Sequence, residues 1–119
     1  MIKNLWLFYM KGIKVELENL YNYLMDKKCK DIAMYDLSKE SQNYDYVVMA
    51  TVSNQQNNKK LASLIMEEMG LEINPEGYNK GEWIVFDFGQ VVVHLLIPQA
   101  REKYNIDKLW QSKKINFKG

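Results

Sequence analysis

The chain has one histidine, His94, and this side chain is the one best suited to acid–base chemistry or metal binding. A histidine does such work only beside a carboxylate, a nucleophile or further ligands. Asp87 lies across a predicted hairpin turn and is within reach of His94, but no nucleophile accompanies the two. We therefore predict a structural or interface role for His94, with no catalytic residues, no metal and no enzymatic activity.

Other residues that could carry chemistry occur singly. Asp87-Phe88-Gly89 spells the magnesium-binding tripeptide of kinases, but the glycine-rich loop, strand lysine and catalytic-loop aspartate that accompany it are missing. We interpret the three residues as a turn in which Gly89 supplies permissive dihedrals. Cys29, the single cysteine, cannot form an internal disulfide and is expected to be a small hydrophobic residue at a helix end. No cofactor is predicted.

Length, charge and hydropathy narrow the class of protein. The 119 residues fit one domain, and 47% hydrophobic content is typical of a folded chain. A net charge of +1 argues against a protein whose affinity comes mainly from phosphate contacts. No stretch is long enough for a membrane span, and the N-terminal apolar run lacks the features of a signal peptide. These observations indicate a cytoplasmic protein.

Periodicity predicts the elements that must position these residues. Leu17, Leu20, Tyr21 and Leu24 recur at helical spacing within residues 14–28. Strands are expected at 32–37 and 44–52, the second central because it is apolar on both faces. A second helix should begin with Ser53 as its N-cap, with Gln56 completing a capping box, and end at Gly70.

The C-terminal half is expected to contain the clearest strand pair. Residues 82–88 and 91–97 form a predicted hairpin, and 71–74 a further short strand. A short helix at 99–105, with Arg101 exposed, and a turn at 106–110 should follow. The order predicts an α/β (α+β) fold with a mixed sheet of about five strands flanked by helices.

The two ends lie outside the predicted domain of residues 14–110. Residues 1–13 form an N-terminal extension that is compatible with an edge strand, with a short helical extension, or with a true start at Met10. Residues 111–119 contain three lysines and little to bury, so we expect a mobile tail.

The predicted hairpin is apolar on both faces. Trp83, Val85 and Asp87 alternate with Ile84, Phe86 and Phe88, and the second strand alternates in the same way. Only two long helices are predicted, so the helices and the N-terminal extension could cover both faces of the hairpin, or could leave one apolar face uncovered and available for docking. Trp83 and Trp110 are compatible with a core and with an interface hot spot, and the pattern alone slightly favours the core for both.

Three stretches in order resemble the ribosome silencing factor (Iojap-like) family. They are DLSKES with DYVVMAT at 36–41 and 45–51; EG, WIVFDFG and VVVH at 76–77, 83–89 and 91–94; and REKY with LW at 101–104 and 109–110. Gln90 stands where the family usually has aspartate, and Val52 and Asn54 lie where it usually reads Gly-x-Ser.

The resemblance implies a nucleotidyltransferase-like fold without the catalytic site, because Asp45-Tyr46-Val47 lacks the second metal-binding carboxylate. It also implies docking on the large ribosomal subunit through ribosomal protein fourteen, which blocks joining of the small subunit and represses translation. A role in large-subunit biogenesis, a peripheral contact with ribosomal RNA and a homodimer of the free protein are further expectations. A degenerate nucleotide-binding protein is the alternative. The expected partner-binding residues are Trp83, Asp87, Val91, Val93, His94, Tyr104, Leu109 and Trp110.

Overall fold

The computed structural model describes residues 13–40 and 43–116. Within these ranges the elements, in chain order, are α1 (Ile13–Asp26), β1 (Lys30–Asp36), β2 (Tyr46–Thr51), α2 (Gln55–Met69), β3 (Trp83–Asp87), β4 (Val91–Leu96), α3 (Pro98–Tyr104) and a 3₁₀ helix (Ile106–Lys113). The predicted α+β class is confirmed. The N-terminal extension, except for the first residue of α1, lies outside the described residues. None of the described helices has the length and apolar character to cross a bilayer.

The sheet is mixed, as predicted, but its described part contains four strands rather than about five. The strand order is β1-β2-β4-β3, with β2 parallel to β4 and the two outer pairs antiparallel. The predicted strand at 71–74 does not form. The N–H of Leu71 donates to Met66 across the end of α2, and only Glu76 later bridges to Val85. The N–H of Leu71 is thus used in the C-terminal cap of α2 and is not available to pair with a neighbouring strand.

The first face of the sheet carries the larger core. As predicted, β2 lies inside the sheet, and its last five residues are buried. Tyr23 of α1 donates a hydrogen bond to Glu68 of α2, which ties the two long helices together. This core includes Leu17, Leu20, Leu24, Met34, Val48, Leu61, Ile65, Ile84, Phe86, Val93 and Leu95.

The start of α2 differs from the prediction by one residue. Asn54 has an extended backbone, and its side chain accepts the N–H of Asn57 at 2.8 Å, so Asn54 rather than Ser53 is the N-cap. Ser53 instead accepts a hydrogen bond from the Asn57 side chain. Both residue types cap helices well, and the pattern in the sequence did not separate them. The predicted end at Gly70, in the left-handed conformation, is confirmed.

The second face is covered by α3 and the 3₁₀ helix, which are held by a partly buried ion pair. Arg101 donates to both carboxylate oxygens of Asp107, at 3.0 and 2.8 Å, and to the hydroxyl of Thr51 at 3.0 Å. Tyr35 on β1 donates to Asp107 at 2.7 Å. The prediction that Arg101 is exposed is wrong: its side chain is 16% exposed because these partners draw it onto the sheet.

A bulge in β1 completes this network. The register of β1 against β2 shifts between Lys30 and Ala33, and Asp31 there has φ of 49°, which few non-glycine residues adopt. The bulge leaves the carbonyl of Asp31 accepting a hydrogen bond from Arg101. The ion pair therefore links β1, β2, α3 and the 3₁₀ helix.

The C-terminal segment lies on β1 as far as residue 116. Lys114 bridges to Tyr35, and the N–H of Ile115 donates to the carbonyl of Met34 at 2.8 Å. The Ile115 side chain packs against the first core, so this part of the predicted tail does have a group to bury. Residues 117–119 lie outside the described parts of the chain.

Gly77 packs directly against the backbone of β3. Its φ is +81°, and a Cβ on it would lie 2.0 Å from the carbonyl oxygen of Trp83. Gly70 also has positive φ, +68°, but a Cβ there would meet nothing within 4 Å. Both glycines therefore have a backbone conformation that would be strained for any other residue. Only Gly77 also lacks the space for a Cβ.

This difference predicts that alanine substitutions at the two glycines lower the stability of the fold by different amounts. Gly70→Ala should lower the free energy of unfolding by about 1 kcal/mol, the cost of a left-handed non-glycine residue. Gly77→Ala should lower it by at least about 3 kcal/mol, because the start of β3 must also move. Urea unfolding of both variants measures the difference. Equal losses would contradict the close approach of Gly77 to Trp83.

The ion pair gives a second prediction. Burial acts to raise the pKa of Asp107, but hydrogen bonds from Arg101 and Tyr35 and the charge of Arg101 outweigh it, so the pKa lies below its usual value. Asp107→Asn should lower the free energy of unfolding at pH 7 by about 3 kcal/mol, since Arg101 loses its countercharge. Because the pKa of Asp107 is lower in the folded than in the unfolded protein, its carboxylate stabilises the fold at pH values above the usual aspartate pKa. The stability difference between wild type and Asp107→Asn should therefore shrink as the pH falls below about 4.

Glu102→Gln, on the exposed side of α3, is the matched control and should change the stability by less than about 0.5 kcal/mol. A loss for Asp107→Asn that stays constant between pH 7 and pH 3 would show that the carboxylate charge is not what stabilises the network.

Candidate functional site

The second face of the sheet is incompletely covered over β3 and β4. On the β1 side, Tyr35, Val47 and Met49 are buried beneath α3 and the 3₁₀ helix. On the β3 side, Leu96 is also buried, but four other residues that point to the same face are only partly buried: Trp83, Val85, Val92 and His94. The sequence left open whether the hairpin has an uncovered face, and the structure shows that this face is only partly covered.

Trp83 is held by two neighbours. Its indole Nε1 donates to Nδ1 of His94 at 2.9 Å, and the ring of Tyr104, from the end of α3, lies 5.0 Å from its ring, centroid to centroid. Three of the predicted site residues therefore form one cluster. We call Trp83, Val85, Val92, His94 and Tyr104 together the docking face.

His94 lies in the middle of this face and is not placed for acid–base work. Burial lowers its pKa to about 4, and the nearby charge of Asp107 only partly opposes that effect. The imidazole is therefore neutral at physiological pH, with Nδ1 engaged by Trp83. Val85, not Asp87, is its partner on β3.

Asp87 has a structural contact at the hairpin turn. Its carboxylate accepts the N–H of Gly89 at 2.9 Å, and Gly89 has φ of 87°. The interpretation of Asp87-Phe88-Gly89 as a turn is thus confirmed. Asp87 is exposed at the end of β3, on the same side of the sheet as Trp83 and Val85.

Val91 and Val93 lie on the opposite face. They are 0% and 2% exposed, in the core beneath the long helices. Their proposed contact with a partner is therefore corrected: they support β4 from inside and cannot touch another protein. Val92 and Val85, which sequence analysis did not select, take their place. Strict alternation with His94 was the signal that could have identified Val92.

Leu109 and Trp110 occupy a separate place, on the 3₁₀ helix. Leu109 is 74% exposed, whereas Trp110 is partly buried, with its ring 5.7 Å from that of Tyr35. The backbone departs from helical geometry at Trp110, which turns the two side chains differently. Five of the eight predicted site residues thus form two groups on the second face: Trp83, His94 and Tyr104 over β3 and β4, and Leu109 and Trp110 on the 3₁₀ helix.

Two other reactive side chains that the structure describes, Cys29 and Arg101, are buried or already hydrogen-bonded. Cys29 is buried at the end of α1, and burial raises the pKa of its thiol to about 11, so it is protonated. The guanidinium of Arg101, in the cleft between α3 and β1, already donates to Asp107, Thr51 and Asp31. The described residues contain no cluster of three or more side chains suited to holding a metal.

Comparison with known proteins gives the family. The sequence profile described as "Ribosomal silencing factor during starvation" matches residues 11–118. The ribosomal silencing factor RsfS of Chromobacterium violaceum is 37% identical over 98 residues, which cover 79% of this chain and 80% of that protein. A mouse protein named mitochondrial assembly of ribosomal large subunit protein 1 is 26% identical over 106 residues. The matched region covers 83% of this chain and 46% of the mouse protein.

The fold agrees with this match. A crystal structure of a Chromobacterium violaceum protein superimposes with a TM-score of 0.72 at 32% identity, over 91% of this chain and 93% of that one. The resemblance seen in the hairpin and in the C-terminal Leu-Trp pair therefore extends over nearly the whole fold. The chain belongs to the ribosomal silencing factor family.

Proposed function

We propose that this protein binds the large ribosomal subunit through ribosomal protein fourteen and so prevents the small subunit from joining. Family membership supports an action on the ribosome, and the name of the mouse relative, which refers to large-subunit assembly, favours the large subunit. The observation that carries the proposal is the partly exposed cluster of Trp83, His94 and Tyr104. We place this activity in the cytoplasm, where subunits join.

The mechanism is steric and involves no catalysis. The side chains that could perform acid–base or nucleophilic chemistry have other contacts: His94 accepts from Trp83, Asp87 holds the hairpin turn, and Cys29 is buried. A bound protein that occupies the surface used by the small subunit lowers translation without turning over a substrate. The same occupancy can act during large-subunit maturation.

The docking face is the centre of the interface, and the 3₁₀ helix extends it. A specific interface buries about 800 Å² on each partner, more than a few side chains on two strands supply. Leu109, highly exposed on the neighbouring cover, adds apolar contact area. The aromatic rings of Trp83 and Tyr104 fit the role of anchors, and Leu109 that of a peripheral contact.

Two further contacts belong to this proposal. Lys113 and Lys114 are exposed near the C-terminus and can reach ribosomal RNA at the edge of the interface. In the absence of ribosomes, two copies can pair through the docking face as a two-fold dimer, which then competes with docking.

Nucleotide binding is the competing class of function. The cleft between α3 and β1 contains Arg101, but its hydrogen bonds to Asp107, Thr51 and Asp31 leave it poorly placed to bind a phosphate. A thermal-shift series with nucleotides and Mg²⁺ separates the two classes. Marked stabilisation by a nucleotide would favour the alternative.

Subunit joining tests the proposal directly. Purified small and large subunits, mixed with excess protein and separated on a sucrose gradient, should show fewer joined ribosomes, with the protein in the large-subunit fractions. Full joining, with the protein remaining at the top of the gradient, is the result that would overturn the proposal.

Two exposed apolar residues provide a pair of variants. Leu109 is 74% exposed and Met25, near the end of α1, is 55% exposed, so neither truncation should disturb the fold. Leu109→Ala should weaken binding to isolated ribosomal protein fourteen by about fivefold, roughly 1 kcal/mol of lost apolar burial. Met25→Ala, on the helices that cover the other face, should bind as wild type does. Equal affinities in a titration would remove the 3₁₀ helix from the interface.

A further inference from the structure

The bond between Trp83 and His94 fixes which ring nitrogen of the histidine carries a proton. An indole N–H can donate but cannot accept, so Nδ1 of His94, 2.9 Å away, must be the acceptor. In a neutral imidazole the single proton then resides on Nε2. Burial favours the neutral form, because it lowers the pKa of His94 to about 4.

This leaves Nε2–H as a donor on the docking face. No residue in the described parts of the chain is hydrogen-bonded to Nε2, and the imidazole is partly exposed. Its neighbours on the sheet are apolar: Val85 on β3 and Met49 on β2 pair with His94, and Val92 lies two residues away on the same face. An unpartnered donor in apolar surroundings must find an acceptor when another protein covers it.

We propose that Nε2–H of His94 is the specificity-determining donor of the docking face and that it binds an uncharged carbonyl oxygen on an apolar segment of the partner. This inference rests on the proposed function, since it names the chemistry of that same contact. A partner that covered the face without an acceptor would leave the donor buried and unpaired, which disfavours such a partner.

The charges around His94 favour a carbonyl over a carboxylate. The negative charge of Asp107 acts on the imidazole from the 3₁₀ helix, and Asp87 is exposed at the end of β3 on the same face. Arg101 is already paired with Asp107, and the imidazole itself is neutral. Lys103 Nζ lies 5.4 Å from the centre of the Tyr104 ring, but the charge that acts on the imidazole is the negative one of Asp107. An uncharged backbone or amide oxygen is therefore repelled less at Nε2 than a carboxylate is.

Nitrogen-15 NMR of the full chain gives the first test, and the single histidine makes the signals unambiguous. In the free protein Nε2 should show the shift of a protonated nitrogen and Nδ1 that of an unprotonated one, with both constant between pH 8 and pH 6. Addition of isolated ribosomal protein fourteen should shift Nε2 and slow exchange of its proton. A proton on Nδ1 in the free protein overturns the inference.

Three variants test whether His94 contributes to binding as a hydrogen-bond donor or only by holding Trp83 in place. Trp83→Phe keeps one aromatic ring and leaves His94 in place but removes the indole N–H and the second ring, so binding to ribosomal protein fourteen should weaken by about threefold at most. His94→Leu removes both nitrogens and should weaken binding by about tenfold or more, equivalent to about 1.4 kcal/mol. His94→Gln keeps a donor and an acceptor and should recover most of the affinity.

The outcomes distinguish this inference from the function on which it rests. If wild type does not bind at all, the proposed partner is wrong. If wild type binds and His94→Leu, shown by its melting temperature to be folded, binds as well as wild type or as Trp83→Phe, only the donor role is overturned.

Discussion

The structure depends on a sheet that is apolar on both faces while its two long helices cover only one. Burial of apolar side chains is the dominant favourable term in folding, so the second face also has to be covered. Among the described elements, α3 has seven residues and the 3₁₀ helix eight, which is little material for four strands. They cover the β1 side and leave the β3 side partly open. The docking face is thus the part of this face that the chain's own short elements do not cover.

Because α3 and the 3₁₀ helix are short and make limited apolar contact with the sheet, polar interactions are needed to hold them in place. Arg101 and Asp107, with side chains 16% and 17% exposed, connect α3 and the 3₁₀ helix to Tyr35 and Thr51 on the sheet. An isolated ion pair at this depth gains little in net stability, but its directional bonds fix how the cover sits. That placement sets where Trp110 packs and where Leu109 remains exposed. The polar network therefore shapes an apolar surface.

Sequence analysis succeeded where local chemistry decides the structure. The hairpin, the turn at Gly89 and the end of α2 at Gly70 follow from alternation and backbone preferences that act over a few residues. It failed at residues 71–74, where the cap of α2 takes the N–H of Leu71, and at Arg101, whose burial depends on partners distant in sequence. The site shows the same division. Both faces of the hairpin are apolar, and only the position of the long helices reveals that Val91 and Val93 point inward while Val85 and Val92 do not.

Hydrophobic contact alone cannot make such a face selective, since apolar burial is nearly independent of direction. Selectivity requires a group whose burial is costly unless the partner matches it. In the proposed function, His94 meets that requirement without acid–base chemistry. Its low pKa, which would make it a poor base at neutral pH, keeps it an uncharged donor with a fixed tautomer. The same burial that makes this histidine a poor base at neutral pH therefore suits it to the proposed recognition, and the proposed function thus rests on the site rather than on the fold alone.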